Sequence, residues 1–331
     1  MSRPPGARTQ GPRTQGTRTA PPARHTAGAP DAVVEAVRAA LSEDPPPAGT
    51  VDRVHLARLD GTAVVTLAAP ASHNALTLGS WKRLEEVFGQ LAGDRGLRVV
   101  VVRGAGDRAF AAGADITEFP HTRLTAADAT EYNESIARAL RSVERLPVPV
   151  VAAVRGLAVG GGCELAAACD IRIATESSRF GIPVGRLGVI LGYTETTALA
   201  RTIGPAALKY LLFSGDLVDA ETALGLGLAQ RVVPDAEFEA EVAGFVAGVH
   251  RQSAITMRAA KLVTGMHGRP LTAADSELLS RLTVEAYEGD DLKEGVAAFR
   301  ERRPADFGRT RGPRASGAAD APHTHATVKE N

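Results

Sequence analysis

The four consecutive valines at positions 99–102 constrain this chain more than any other stretch. A β-branched run with no polar alternation fits a strand covered on both faces, and such strands belong to parallel sheets with helices packed above and below. Residues 63–67 (Ala-Val-Val-Thr-Leu) and 148–154 have the same character. Between the first two strands, Leu84, Val87, Phe88 and Leu91 recur at helical spacing, which predicts a helix over 78–91. Strands alternating with helices imply βαβ units and a mostly parallel sheet. Past Val233 the strand signals stop, and helices are expected within 245–250, 257–263 and 273–287. The expected architecture is an α/β body followed by a helical C-terminal layer.

A chain of 331 residues, 44% hydrophobic, can bury a large core in one domain or two. Its formal net charge of zero gives no overall basic field to hold nucleic acid or an anionic membrane. No apolar run approaches the roughly 18 residues of a membrane helix, and the N-terminus lacks the apolar core of a signal peptide, so a cytoplasmic location is expected. Cys163 and Cys169 lie in one apolar segment, at a spacing that is neither a CxxC nor a disulfide framework, and read as inert buried thiols. No metal site is expected. Residues 1–50 form an extension. Its first 30 residues repeat Arg8-Thr9-Gln10 loosely, are rich in Pro and Gly, and predict disorder; a transit peptide is the alternative, disfavoured by the helix breakers. A short helix over 33–41 then ends before Pro45-Pro46-Pro47. The body is placed at 51–245, the helical region at 246–308 and a flexible tail at 309–331.

Residues 148–170 carry the strongest chemical signal. A buried strand leads into Gly160-Gly161-Gly162 and then Cys163-Glu164-Leu165-Ala166-Ala167-Ala168-Cys169. Glycines between a strand and a helix allow a sharp turn and leave backbone N–H groups open at the positive end of the helix dipole. A glycine triplet alone also marks ordinary turns. Glu164, however, is the single ionisable group in an apolar run, and a buried carboxylate without a local partner is costly enough to suggest a site. It follows Gly161 by about 4.5 Å of helix rise, on the same face. One acyl group can then meet an N–H through its carbonyl oxygen and a carboxylate through its α or β carbon. A second small-residue loop, Ala109 to Ile116, follows the valine strand, where α/β sheets bind ligands; Asp115 there also suits a helix cap.

Together, Ala111-Ala112-Gly113-Ala114-Asp115-Ile116, Gly160-Gly161-Gly162-Cys163-Glu164-Leu165 and Cys169-Asp170-Ile171 closely resemble the signature of the crotonase (enoyl-CoA hydratase/isomerase) superfamily. Asn74-Ala75-Leu76 matches its early CoA-binding loop, and Gly215-Asp216 and Gly295 to Phe299 fit its later pattern. The resemblance covers about 51–307. It implies a crotonase-like spiral of ββα/βαβ turns with a helical C-terminal trimerisation region, a homotrimer or homohexamer, an acyl-CoA substrate, and no cofactor beyond the CoA carried by that substrate. It implies that the amides of Ala114 and Gly161 form an oxyanion hole, that Glu164 is an acid/base, that Ala112, Gly113, Asp115, Ile116 and Gly160 line the substrate site, and that Phe299 and Arg302 contact CoA. Helix packing and a solvated charge are the ordinary readings of those last two.

One position departs from the family. Hydratases carry a second Glu where this chain has Val184, within Phe180 to Gly188. Glu195 lies near the start of the next helix; it is either a first-turn dipole partner or an acid reaching the pocket from another direction. Tyr193 either orients an acyl group or packs. The reading is an enoyl-CoA hydratase/isomerase-type enzyme acting through an enolate. A malonyl-type acyl-CoA decarboxylase and an inactive acyl-CoA-binding relative are the alternatives. RNA binding is disfavoured because Glu85 and Glu86 share the helix of Trp81-Lys82-Arg83. No GxSxG elbow, Walker loop or HExxH motif is present.

Overall fold

The valine run lies inside the main sheet and feeds two cores. In the computed structural model, which describes residues 31–44 and 53–307, Val100 and Val102 point into one apolar cluster and Val99 and Val101 into another. The expectations for residues 1–30 and 309–331 lie outside the described residues.

Helix α1 (Asp31–Ser42) precedes an antiparallel hairpin, β1 (Val54–Leu59) and β2 (Thr62–Leu67). Helix α2 (Leu78–Ala92) starts at a capping box formed by Thr77 and Ser80, and leads to β3 (Val99–Gly104) and β4 (Ala109–Ala111). A short α3 (Phe119–Thr122) and a long α4 (Ala126–Arg145) follow, the latter capped by Thr125 and Asp128. Next come β5 (Val150–Val154), β6 (Leu157–Val159), α5 (Gly161–Ala168), β7 (Ile171–Thr175), β8 (Arg179–Gly181), α6 (Tyr193–Ser214), β9 (Val218–Asp219), α7 (Ala220–Leu226) and β10 (Arg231–Val233). The chain then runs through α8 (Phe238–His250), α9 (Ala254–Gly265), α10 (Ala273–Glu288) and α11 (Asp290–Glu301).

The main sheet has the order β1-β2-β3-β5-β7-β10 and is parallel from β2 onward, as the unbroken apolar strands predict. A second sheet, β4-β6-β8-β9, stands beside it. After β3, β5 and β7 the chain makes a short strand of this second sheet before it enters a helix, so the repeating unit is ββα and the turns wind as a spiral. Leu84 and Phe88 of α2, Leu140 of α4 and Leu165 of α5 close the core on one side; Val37 and Leu41 of α1 and Val242 and Val246 of α8 close the other.

The glycine triplet serves two steric needs here. Gly160 has φ 50° and ψ −122°, a backbone conformation that a Cβ disfavours. A Cβ on Gly162 would come within 2.2 Å of the Ala111 carbonyl oxygen, so this glycine lets α5 seat directly against β4.

Helix α8 crosses the boundary expected at 245/246 and belongs to the body, because its apolar face packs on the main sheet. The separate layer begins with α9. It is fastened by Lys261, whose Nζ donates to the Val148 carbonyl at 3.0 Å and lies 2.8 Å from Asp170. The last three helices bury little of their apolar surface: Val284, Tyr287, Val296 and Phe299 are exposed. Among the described residues no helix is long and apolar enough to cross a membrane.

Candidate active site

A cavity of about 490 Å³ opens where the chain leaves β4 and β6, at the carboxyl ends of parallel strands. One wall is the 112–116 loop after β4; the floor is Gly160, Gly161 and Glu164 at the start of α5; the far wall is Pro183, Val184, residues 189–192 and Glu195.

The two loops bring the amides of Ala114 and Gly161 close together. A Cβ built on Gly161 would lie 3.9 Å from the Ala114 nitrogen and 2.9 Å from Cζ2 of Trp81, so the indole crowds the space behind the glycine. The neighbouring amides are already engaged. Gly160 donates to the Gly181 carbonyl (2.8 Å) and Asp115 to Leu76 (2.9 Å), whereas neither Ala114 nor Gly161 has a backbone acceptor among the described residues. Gly161 is the first residue of its helix, where N–H groups have no intrahelical partner.

Glu164 is buried, with no hydrogen bond to its carboxylate among the described residues. Burial first, and then the Glu195 carboxylate, push its pKa up to about 8, against a smaller opposing pull from Arg123. Glu195 is also buried and lines the same cavity; its Oε2 has no hydrogen-bond partner. Burial raises its pKa as well, opposed first by a hydrogen bond from its own backbone N–H and then by Arg141 and Arg123. A Cβ at Gly192 would stand 2.5 Å from Glu195 Oε2, so this glycine makes room for the carboxylate to turn inward. Glu195, the third residue of α6, thus combines a first-turn position with a place on the wall of the cavity that Glu164 also lines.

The other expected site residues divide. Ala75, Ala112, Gly113, Asp115, Ile116, Gly160 and Val184 line the cavity. The Asp115 carboxylate is occupied, accepting from Thr117 N (3.1 Å) and Oγ1 (2.6 Å) and pairing with Arg53 at 2.7 Å, so it serves as the helix cap. Asn74 is buried behind the loop rather than open to the cavity: its amide nitrogen donates to the Ala105 (2.9 Å) and Ala109 (2.7 Å) carbonyls, and its oxygen accepts from Ala69 N (3.0 Å). Leu76 is buried and does not line the cavity; its backbone braces Gly113 and Asp115. Tyr193 is 87% exposed and points away, in contrast to Glu195 two residues on. Phe299 is 85% exposed, and Arg302 ends α11 in a left-handed conformation; the single chain brings neither to the cavity. Cys163 and Cys169 are buried, and burial pushes both thiols up to about 12, as inert residues should be.

Sequence reasoning misses Arg123, which follows α3. Its guanidinium carbon sits 3.9 Å from the centroid of the Tyr132 ring and 5.0 Å from that of Phe119, and it lines the cavity. In the sequence it stands among His121, Thr122 and Leu124 and looks like a solvated loop charge. The single local hint is Phe119, four residues earlier.

A ββα spiral whose loops set two open amides against buried carboxylates is the architecture of the crotonase superfamily. Within it, the chain belongs to the enoyl-CoA hydratase/isomerase family, whose model matches residues 58–310. It is 30% identical over 262 residues to a crotonyl-CoA hydratase of Syntrophomonas wolfei subsp. wolfei, covering 77% of this chain and 98% of the relative. To a short-chain-enoyl-CoA hydratase of Clostridium acetobutylicum it is 32% identical over 255 residues, covering 76% and 96%. A crystal structure described as an enoyl-CoA hydratase/carnithine racemase from Magnetospirillum magneticum superposes with a TM-score of 0.73 at 37% identity, covering 78% of this chain and 96% of the other. The protein is a hydratase/isomerase-type enzyme.

Proposed function

We propose that this enzyme adds water across the double bond of a 2-enoyl-CoA, with Glu164 and Glu195 acting as a pair. The observation that carries the reading is that two buried carboxylates and two unengaged amides open on one cavity. The thioester carbonyl oxygen accepts from Ala114 and Gly161. As the oxygen of water bonds to the β carbon, one carboxylate takes the water proton and the double-bond electrons move into the thioester as an enolate. The amides stabilise that oxyanion, each contributing about 3 kcal/mol in comparable sites. The α carbon then takes a proton from the other group, which starts as the neutral carboxylic acid and ends as the carboxylate. The Glu195 charge helps to raise Glu164, so the protonation of Glu164 depends on the state of its neighbour.

Val184 leaves an apolar surface where the relatives' second acid is expected, and Glu195 supplies the missing carboxylate from α6. The CoA is carried by the substrate, with no further cofactor. The exposed apolar residues of α9–α11 suit assembly as a trimer or hexamer, in which a neighbouring copy brings its Phe299 and Arg302 to the CoA. A cytoplasmic location belongs to the same reading. The test is hydration of crotonyl-CoA, followed as loss of the enoyl-thioester absorbance, beside isomerisation of a 3-enoyl-CoA and loss of CO2 from methylmalonyl-CoA. Hydration should dominate. Fast decarboxylation with no hydration would move the enzyme to malonyl-type substrates, and binding without turnover of any thioester would make it an acyl-CoA-binding protein.

A further inference from the structure

The acyl cavity holds a fixed cation that hydration of a plain enoyl chain does not require. Arg123 rests on the T-shaped pair formed by Phe119 and Tyr132, and its Nη2 donates to Asn133 Oδ1 at 2.8 Å. Tyr132 is itself locked, fully buried and donating to Glu118 Oε1 at 2.9 Å. The guanidinium is therefore preorganised. Its Nε is buried without a hydrogen-bond partner, and among the described residues no acid lies at ion-pair distance from it. By contrast, Arg53 pairs with Asp115 at 2.7 Å and Arg155 with Glu239 at 2.7 Å. The charges of Glu164, Glu118 and Glu195 act on it from a distance, without ion-pair contact, and a desolvated arginine with an unpartnered Nε on the cavity wall favours a planar anion that can make charge-assisted bonds.

Resting on the hydratase reading of the same cavity, we propose that Arg123 is a specificity residue that takes a carboxylate on the acyl group, so the preferred substrates are CoA thioesters of dicarboxylic acids. The carboxylate comes either from the far end of the chain or from the α carbon, and the two sources share this chemistry.

The experiment measures binding of glutaryl-CoA, methylmalonyl-CoA and butyryl-CoA to the full-length protein by calorimetry, and turnover of glutaconyl-CoA beside its monomethyl ester. All these probes carry the same CoA, so contacts to that moiety cancel in the ratios. The wild type should bind one of the two acids roughly 10-fold to 100-fold more tightly than butyryl-CoA, the range of a charge-assisted bond. Where glutaryl-CoA is the acid selected, the wild type should also favour glutaconyl-CoA over the ester by a similar ratio in kcat/KM. Arg123→Met should bring both ratios near unity, and Arg123→Lys should leave an intermediate value if the first variant folds poorly. Selection of glutaryl-CoA places the carboxylate at the chain end, and selection of methylmalonyl-CoA places it on the α carbon. Wild-type ratios near unity, or ratios that survive Arg123→Met, would overturn the proposal. Binding ratios are read without chemistry, so an acid preference with no hydration of any enoyl thioester would sink the hydratase reading while leaving this one standing.

Discussion

The two carboxylates of the cavity stand in the first turns of two different helices. Glu164 sits in α5, where all eight residues are buried; Glu195 sits in α6, flanked by exposed Tyr193 and half-buried threonines. The first is conspicuous in the sequence because nothing around it is polar. The second is camouflaged, because an acid in a polar first turn is what the helix dipole alone favours. A functional group is legible when its local setting makes it expensive, and illegible when only the tertiary structure removes it from water.

The largest expected effect separates α5 from the rest of the site. Glu164→Gln keeps the shape and removes the proton exchange, and should lower kcat about 100-fold to 10,000-fold on the best enoyl-CoA while thioester binding persists. Turnover near wild type would remove Glu164 from the mechanism. Glu195→Gln should cost about 100-fold if the acids work as a pair; a change under twofold would reduce it to a helix-dipole partner. In that background, Val184→Glu should restore hydration by about 10-fold, a partial gain because burial and the nearby Glu164 oppose ionisation of the new acid. No recovery would show that the acid cannot act from the position of Val184.

A smaller effect concerns stability. The folded pKa of Glu164 is raised from 4.5 to about 8, so between those values the folded protein binds more protons than the unfolded chain. Stability should therefore fall as pH rises through this window, by about 1.4 kcal/mol for each unit of displacement. Thermal melts at pH 9 should find Glu164→Gln more stable than wild type, with the difference gone at pH 4. Equal melting at both values would show that the wild-type carboxylate is more hydrated than its burial suggests. The smallest effect is expected from deleting residues 1–30, which should leave melting temperature and activity within error; loss of soluble enzyme would overturn the disorder expected of that segment.

Much of the body was legible in the sequence. The unbroken apolar strands at 63–67, 99–102 and 148–154 predicted the parallel sheet, and Leu84, Val87, Phe88 and Leu91 all lie buried on α2. The second sheet was not, because strands as short as Ala109–Ala111 and Leu157–Val159 span too few residues to show a period. In the site, Gly161 and Glu164 could be placed by helix geometry alone, since three residues make nearly one turn. Arg123 could not: its aromatic partner Tyr132 belongs to the next helix, and the cavity between them exists only after folding. Asn74 was singled out by its motif match, and what the fold adds is its partners: its amide bridges Ala69, Ala105 and Ala109.

Helix α1 precedes the residues that the family's model matches, yet it is not loosely attached. Arg103, from strand β3, is buried and donates to the Ala40 and Glu43 carbonyls at the end of α1, both at 3.0 Å, and to Asp44 at 2.8 Å. Val37 and Leu41 cover the same sheet face as Val64 and Val101. Once a core strand carries side chains suited to an added helix, losing that helix uncovers an apolar patch and strips the arginine of its acceptors. The attachment therefore works as a latch: the helix cannot be discarded without first rebuilding the strand beneath it.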